Sequence, residues 1–377
     1  MDKLEQLLND LVAINSINPD LVPGAPGEAG IAAFIAEWLE AAGLEVTIEE
    51  VLPGRPNVVG IAHGTGGGRT LLLNGHMDTV GVAGMANPFA SRIADGRLFG
   101  RGAYDMKGGL AACLMAAAEA RQRSLRGDVV VAAVMDEEYA GLGTMAVAQH
   151  YRADGAIVAE PTELQLVVAH KGFVWLDVET QGVAAHGSRP HLGLDAIVKM
   201  GGVLLELERL GQELSLRPGH PLLGAPSVHA SLIHGGTEMS SYPDRCVLSV
   251  ERRTLPGETV ESVEAELEVI IERLHRADPA FRAVVRRGLV RSPLETPVGT
   301  TIVEAARQAA TGALNRPCDL SGVSFWTDAA SLHAAGIPTV LFGPAGEGAH
   351  AAEEWVDMGS VEACVQVYLA TAETFCR

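Results

Sequence analysis

The stretch Leu71-Leu-Leu-Asn-Gly-His-Met-Asp78 reads as an apolar strand that ends in an imidazole and a carboxylate. Four further segments have similar endings. Asp105 lies in the glycine-rich Gly100-Arg-Gly-Ala-Tyr-Asp-Met-Lys-Gly-Gly109. Glu137 and Glu138 follow the apolar run from Val129 to Met135, Glu160 ends Ala156-Ile-Val-Ala-Glu-Pro161, and His350 ends the loop after Val340-Leu-Phe342. Polar side chains at the ends of apolar strands are how an α/β fold builds a site. Imidazoles and carboxylates are the ligand types a pair of zinc ions takes.

Outward from this core the rhythm is α/β. Residues 3–14 and 28–42 carry helical apolar stripes, Leu4, Leu7, Leu8, Leu11 and Val12 in the first and Ile31, Phe34, Ile35 and Trp38 in the second. Strands are predicted near 44–50, 57–62, 70–75, 129–135 and 155–159, with helices near 107–122 and 142–150. From about 170 the pattern changes to strand (Val174, Leu176, Val178), helix 192–210, strands 226–233 and 246–252, helix 258–275 and strand 281–287. This β-α-β-β-α-β order is that of a ferredoxin-like module. The α/β rhythm then returns, with helices near 300–312, 328–335 and 359–375 and a strand at 338–342. The expected layout is a first domain of residues 1–170 and 289–377, interrupted by a second at 171–288.

The totals narrow the function. A net charge of −19 argues against nucleic acid or an anionic membrane as partner, since both are bound by clustered Lys and Arg. A hydrophobic content of 47% and a mean hydropathy of +0.18 support large cores. No apolar run approaches the roughly 18 uncharged residues of a membrane span, and the first residues lack a signal-peptide core. Cys113, Cys246, Cys318, Cys364 and Cys376 are scattered without C-x-x-C spacing, which fits a reduced, cytoplasmic chain.

Within the candidate site, His76 and Asp78 are two residues apart and share a side of an extended strand. Asp78 can therefore accept a hydrogen bond from the far nitrogen of His76 and fix its metal-binding tautomer; the alternative is a capped strand end. Asp105 is either an N-cap for the next helix or a carboxylate shared between two cations. Glu137 and Glu138 diverge in extended backbone, so one can bind metal while the other faces water. Asp105, Glu138 and Glu160, with one anion from solvent, balance two Zn²⁺ ions.

These pieces, together with Gly182-Val-Ala-Ala-His-Gly187 and Arg253-Thr-Leu-Pro-Gly257, resemble in order the di-zinc amidohydrolase and peptidase family. That family holds acetylornithine deacetylase, succinyl-diaminopimelate desuccinylase, aminoacylase and glutamate carboxypeptidase. The resemblance implies a zinc-exopeptidase-like catalytic domain, a mixed sheet flanked by helices, with an inserted ferredoxin-like dimerisation or lid domain. It implies two Zn²⁺ per subunit, replaceable by Co²⁺ or Mn²⁺, one held by His76, Asp105 and Glu160 and the other by Asp105, Glu138 and His350. Glu137 would be the general base and Asp78 would orient His76. His186 would enter the site of the partner in a homodimer, and Arg253 would grip a substrate carboxylate. Gly235-Gly-Thr-Glu-Met-Ser-Ser-Tyr-Pro-Asp244 departs from the family, with Ser240 where an Asn commonly contacts substrate. The implied reaction is hydrolysis of an N-acyl-L-amino acid; the alternatives are a dipeptidase or glutamate carboxypeptidase using the same site, or a catalytically silent relative.

Overall fold

The computed structural model describes residues 3–82 and 84–377. In chain order it begins with α1 (Lys3–Ala13), α2 (Ala29–Ala41), β1 (Glu45–Leu52), β2 (Arg55–Ala62), β3 (Leu71–His76), β4 (Arg92–Ala94) and β5 (Arg97–Phe99). A short irregular turn (Ala103–Lys107) leads into α3 (Gly108–Ala120), β6 (Val129–Val134), α4 (Leu142–His150), β7 (Gly155–Val158) and β8 (Leu166–His170). Next come β9 (Gly172–Gln181), α5 (Ala196–Leu216), β10 (Ser227–Gly235), β11 (Arg245–Thr254), α6 (Val260–Ala277), β12 (Ala283–Arg291) and β13 (Leu294–Glu295). The chain closes with α7 (Thr301–Leu314), β14 (Leu320–Val323), α8 (Ala329–Ala334), β15 (Thr339–Leu341), β16 (Gly346–Glu347), β17 (Trp355–Asp357) and α9 (Met358–Phe375).

Two compact units result. The first takes the chain up to Val168, then Thr296–Gly322 and Thr327–Arg377; the second takes Ala169–Glu295 and Val323–Trp326. The boundary expected at 289 falls inside β12, which stays paired with β9 through Arg291↔Phe173. The ladder, not the apolar pattern, decides where the chain leaves the insert.

In the first unit the sheet order is β1-β2-β6-β3-β7-β15-β8. Its centre is parallel: β3 pairs with β6 and with β7, and β7 with β15. All residues of β3 and β6 are buried, which explains their unbroken apolar runs, because a parallel strand is covered on both faces. The α1 stripe is buried throughout, as are Ile31, Ile35 and Leu39 of α2. Each such leucine or isoleucine contributes about 1.5–3 kcal/mol by leaving water. A small second sheet, β16-β17-β5-β4, was not visible in the sequence, because its strands are two or three residues long.

The second unit is the expected β-α-β-β-α-β module, with antiparallel order β10-β11-β9-β12. Val174, Leu176 and Val178 of β9 alternate inward and form one core with the inner faces of α5 and α6. Helix α5 starts at 196 rather than 192, because Asp195 caps it by accepting the amide of Val198. Among the described residues no helix is long and apolar enough to cross a membrane.

Close approach explains one of the glycines. A Cβ on Gly109, in the first turn of α3, would stand 2.0 Å from the carbonyl oxygen of Ala159 at the end of β7. Gly109→Ala is expected to lower stability by about 1–3 kcal/mol through overpacking. Gly312→Ala on α7, where a Cβ meets nothing within 4 Å, is expected to raise it by about 0.5–1 kcal/mol. Denaturant unfolding of the two variants checks both signs.

Candidate metal centre

The four parallel strands β6, β3, β7 and β15 end together, and their C-terminal ends build the site. His76 is the last residue of β3 and lies beside Val134, the last of β6. Glu137 and Glu138 follow that end, Glu160 follows β7, and the segment after β15 leads to His350. One sheet edge therefore gathers residues far apart in sequence.

Asp105 sits between two imidazoles. Its Oδ1 is 3.3 Å from His76 Nε2, and its Oδ2 is 3.3 Å from His350 Nε2. His350 Nε2 is also 3.1 Å from Glu138 Oε2. Ligand atoms of His76, Asp105 and Glu138 lie within 4.8 Å of one another, and so do those of His76, Glu137 and Glu160. The structure thus brings His76, Asp105, Glu137, Glu138, Glu160 and His350 into one cluster. Both adjacent glutamates reach it, Glu137 on the Glu160 side and Glu138 on the His350 side.

One local expectation is corrected and one alternative falls away. His76 Nδ1 faces the backbone carbonyl of Asp78 at 2.9 Å, while the Asp78 carboxylate is 3.6 Å away. That carboxylate instead accepts the amides of Glu137 (3.1 Å) and Glu138 (3.2 Å) and the side chain of Asn18 (2.8 Å). The chain turns at Asp78 so that its carbonyl, not its side chain, meets the ring. Asp105 does not cap α3, whose first turn has no side-chain cap; its oxygens are turned to the two histidines.

Sequence reading passed over Glu354. Its buried carboxylate accepts the amides of Gly102 (2.9 Å), Tyr104 (2.9 Å) and Asp105 (3.0 Å) and the Arg101 guanidinium (2.6 Å). Glu354 thereby shapes the loop that presents Asp105. Nothing in the apolar pattern marks it; the clue was an acidic residue after a Gly-rich loop. His186, Ser240 and Arg253 all belong to the second unit. His186 Nδ1 lies 2.8 Å from Ser188 Oγ, and the carbonyl of Ser240 accepts the amide of Gly187 at 2.7 Å. Arg253 Nε donates to Glu251 at 2.6 Å, and the guanidinium stacks 5.2 Å above Phe173.

The electrostatics are those of crowded, dehydrated acids. Burial, with Glu160 beside it, raises the proton affinity of Glu137 well above the usual carboxylate range. Burial pushes Glu160 up to about 8 and Asp78 up to about 7. Asp105 goes the other way: burial opposes its ionisation, but the bonds to His350 and His76 hold it below the ordinary range. Hydrogen bonds to Asp105 and Glu138 raise His350 to about 10. Burial opposes the charge on His76, yet Asp105 and Glu160 raise it well above its normal value.

These residues fit divalent metal. Glu138 Oε1 and Glu160 Oε1 are buried oxygens without a hydrogen-bond partner among the described residues, close to two imidazoles and Asp105. Buried unsatisfied anionic oxygens are costly unless a cation meets them, and mixed imidazole and carboxylate donors suit zinc and its neighbours.

Fold and site together define a metal-binding hydrolase of carbon–nitrogen bonds. The chain belongs to peptidase family M20/M25/M40, whose model matches residues 72–374. It is 33% identical to the acetylornithine deacetylase of Myxococcus xanthus, covering 99% of this chain and 97% of that one. It is 29% identical to an N-formyl-4-amino-5-aminomethyl-2-methylpyrimidine deformylase of Bacillus subtilis, covering 100% and 95%. Among solved structures, an M20 family metallo-carboxypeptidase of Sulfolobus solfataricus shares the fold with a TM-score of 0.80 at 19% identity, covering 100% of both chains.

The shifts fix a pH dependence for the metal-free protein. Folded Glu160, Asp78 and His350 titrate at about 8, 7 and 10 against ordinary values of 4.5, 3.8 and 6.5. The folded state therefore holds extra protons between each pair of values, and stability falls as pH rises through that window. Chelator-treated protein is expected to lose melting temperature steadily from about pH 5 to 8, and added Zn²⁺ is expected to flatten or reverse the trend. Thermal scans at stepped pH, with and without metal, read both.

Proposed function

We propose that this chain hydrolyses the amide bond of an N-acyl-L-amino acid, releasing a carboxylate and the free amino acid. The observation that carries the reading is the cluster of His76, Asp105, Glu138, Glu160 and His350 with the Glu137 carboxylate beside it. Two relatives matched over nearly their full lengths add support, since their names denote removal of an acetyl and a formyl group.

In this reading His76, Asp105 and Glu160 would hold one zinc ion, and Asp105, Glu138 and His350 would hold the other. Cobalt or manganese are acceptable substitutes for such ligands. Once bound, the ions supply positive charge that acidifies water and polarises the scissile carbonyl.

The rest falls to the chain's own side chains. Glu137 takes a proton from the attacking water and returns it to the departing amine. Asp78 steadies His76 through its carbonyl and the Glu137–Glu138 turn through its carboxylate. His186, supplied by the partner of a homodimer through the inserted module, donates to the developing oxyanion. Arg253 takes the substrate carboxylate with its planar fork, and Ser240, which stands where the family commonly has a substrate-contacting Asn, would reach substrate with its shorter side chain or through a bridging water. The catalytic module is assigned to the first unit, the dimerisation or lid module to the second. All five cysteines are buried and free, in keeping with a cytoplasmic setting.

Glu137→Gln is expected to keep its metal content while kcat falls by about 10²–10⁴; metal analysis beside steady-state kinetics checks it, and near-normal turnover removes Glu137 from this role. A panel of N-acetyl, N-formyl and N-succinyl amino acids run against dipeptides and γ-glutamyl peptides decides the substrate class. Faster cleavage of the peptides replaces the deacylase reading by a dipeptidase or carboxypeptidase.

A further inference from the structure

Behind the Glu137–Glu138 turn lies a buried ion cluster that the proposed mechanism does not use. Arg55, at the start of β2, is 7% exposed. Its Nε donates to Glu28 Oε2 at 2.8 Å, and its Nη2 donates to Glu28 Oε1 at 2.6 Å and to Asp136 Oδ1 at 3.2 Å. Its Nη1 donates to Asp20. Asn18 continues the chain of contacts, its Nδ2 donating to Asp136 Oδ1 at 3.1 Å and to Asp78 Oδ2 at 2.8 Å. Asp78 in turn accepts the amides of Glu137 and Glu138. Asn18, Glu28, Asp78 and Asp136 have no exposed surface.

The geometry explains why such a cluster sits here. Asp136 has φ 68°, the left-handed region that a residue with a Cβ seldom adopts unless its surroundings hold it there. That kink turns the chain sharply after β6, and its carbonyl accepts the amides of Ala140 and Gly141 at 3.1 and 2.6 Å. Glu137 is the next residue, so its direction is set by how firmly Asp136 is held. A guanidinium suits this position, because its planar fork meets Glu28 through two nitrogens and still reaches Asp136. Glu28 immediately precedes α2, yet it makes no side-chain cap there; its carboxylate is committed to Arg55 instead.

We propose that Arg55 and Asn18 are positioning residues for Glu137, acting through Asp136 and Asp78 to keep its carboxylate aimed at the reacting bond. The inference rests on the reading of Glu137 as the base. Arg55→Lys keeps the charge and loses the fork; Asn18→Ala cuts the link between Asp136 and Asp78 and leaves the Arg55–Glu28 pair in place.

The proposal is tested by a pair of double-mutant cycles against Glu137→Asp, which retains a carboxylate of shorter reach. Arg55→Lys and Asn18→Ala alone are each expected to lower kcat by about 10–100-fold, the cost of misplacing a reacting group by an ångström or so. KM is expected to move far less, and bound metal to stay at the wild-type level. In the Glu137→Asp background the same substitutions are expected to cost less than about threefold more, because groups that act as one unit are not additive. Losses that multiply in full overturn the proposal, as do unchanged kcat values or a fall in activity that tracks lost metal. Should Arg55→Lys not fold, the Asn18→Ala cycle decides by the same criteria. Normal turnover in both Glu137→Asp and Glu137→Gln would sink the base assignment itself, which separates that failure from this one.

Discussion

Mutual repulsion among buried and half-buried carboxylates is the constraint that the rest of this structure answers. Asp78, Asp105, Glu137, Glu138 and Glu160 converge at one sheet edge, where two like charges about 4 Å apart repel by roughly 4 kcal/mol at an effective dielectric constant near 20. No chain gathers them by local preference. The parallel strands β6, β3, β7 and β15 deliver their ends to one place because their apolar faces are buried on both sides. Tertiary packing thus holds charges that electrostatics alone would scatter. Compensation comes in layers: the imidazoles of His76 and His350 around Asp105, the backbone amides at Asp78 and Glu354, and the Arg55 guanidinium behind Asp136.

Much of this was legible in the sequence, for a physical reason. Strands buried on both faces read as continuous apolar runs, so Leu71–Leu73 and Val129–Val134 announced the sheet centre, and the polar residues just beyond them announced the site. The insert was legible because Val174, Leu176 and Val178 alternate as a half-covered strand must. What stayed hidden depends on backbone direction rather than on residue type. The sequence could not say that the carbonyl of Asp78, rather than its carboxylate, would face His76. The same holds for Glu354, whose partners are backbone amides some 250 positions away. The tiny strands β4, β5, β16 and β17 are too short to carry any periodicity.

Charge is handled in two ways. Some pairs lie toward the surface, as between Arg287 and Glu264, or from the exposed Arg245 and Arg286 to Glu179 in the second unit. Such pairs are worth little for stability, typically below about 1 kcal/mol. The ion contacts of Arg55 and Arg101 in the first unit and of Arg252 in the second are buried, where removing one partner strands the other at a cost of about 3–5 kcal/mol.

The clasp of Glu354 on the Gly102–Asp105 backbone also orders events during synthesis. Strand β5 finds its neighbour β17, and Arg101 its counter-ion, only after residues 354–357 have been made. A polypeptide still emerging from the ribosome can pack β3 against β6 and β7, but it cannot shape the loop around Asp105. Competence to bind metal at that carboxylate therefore arrives only once residues 354–357 are in place, and a product ending before them would carry Asp105 on a loop without its frame.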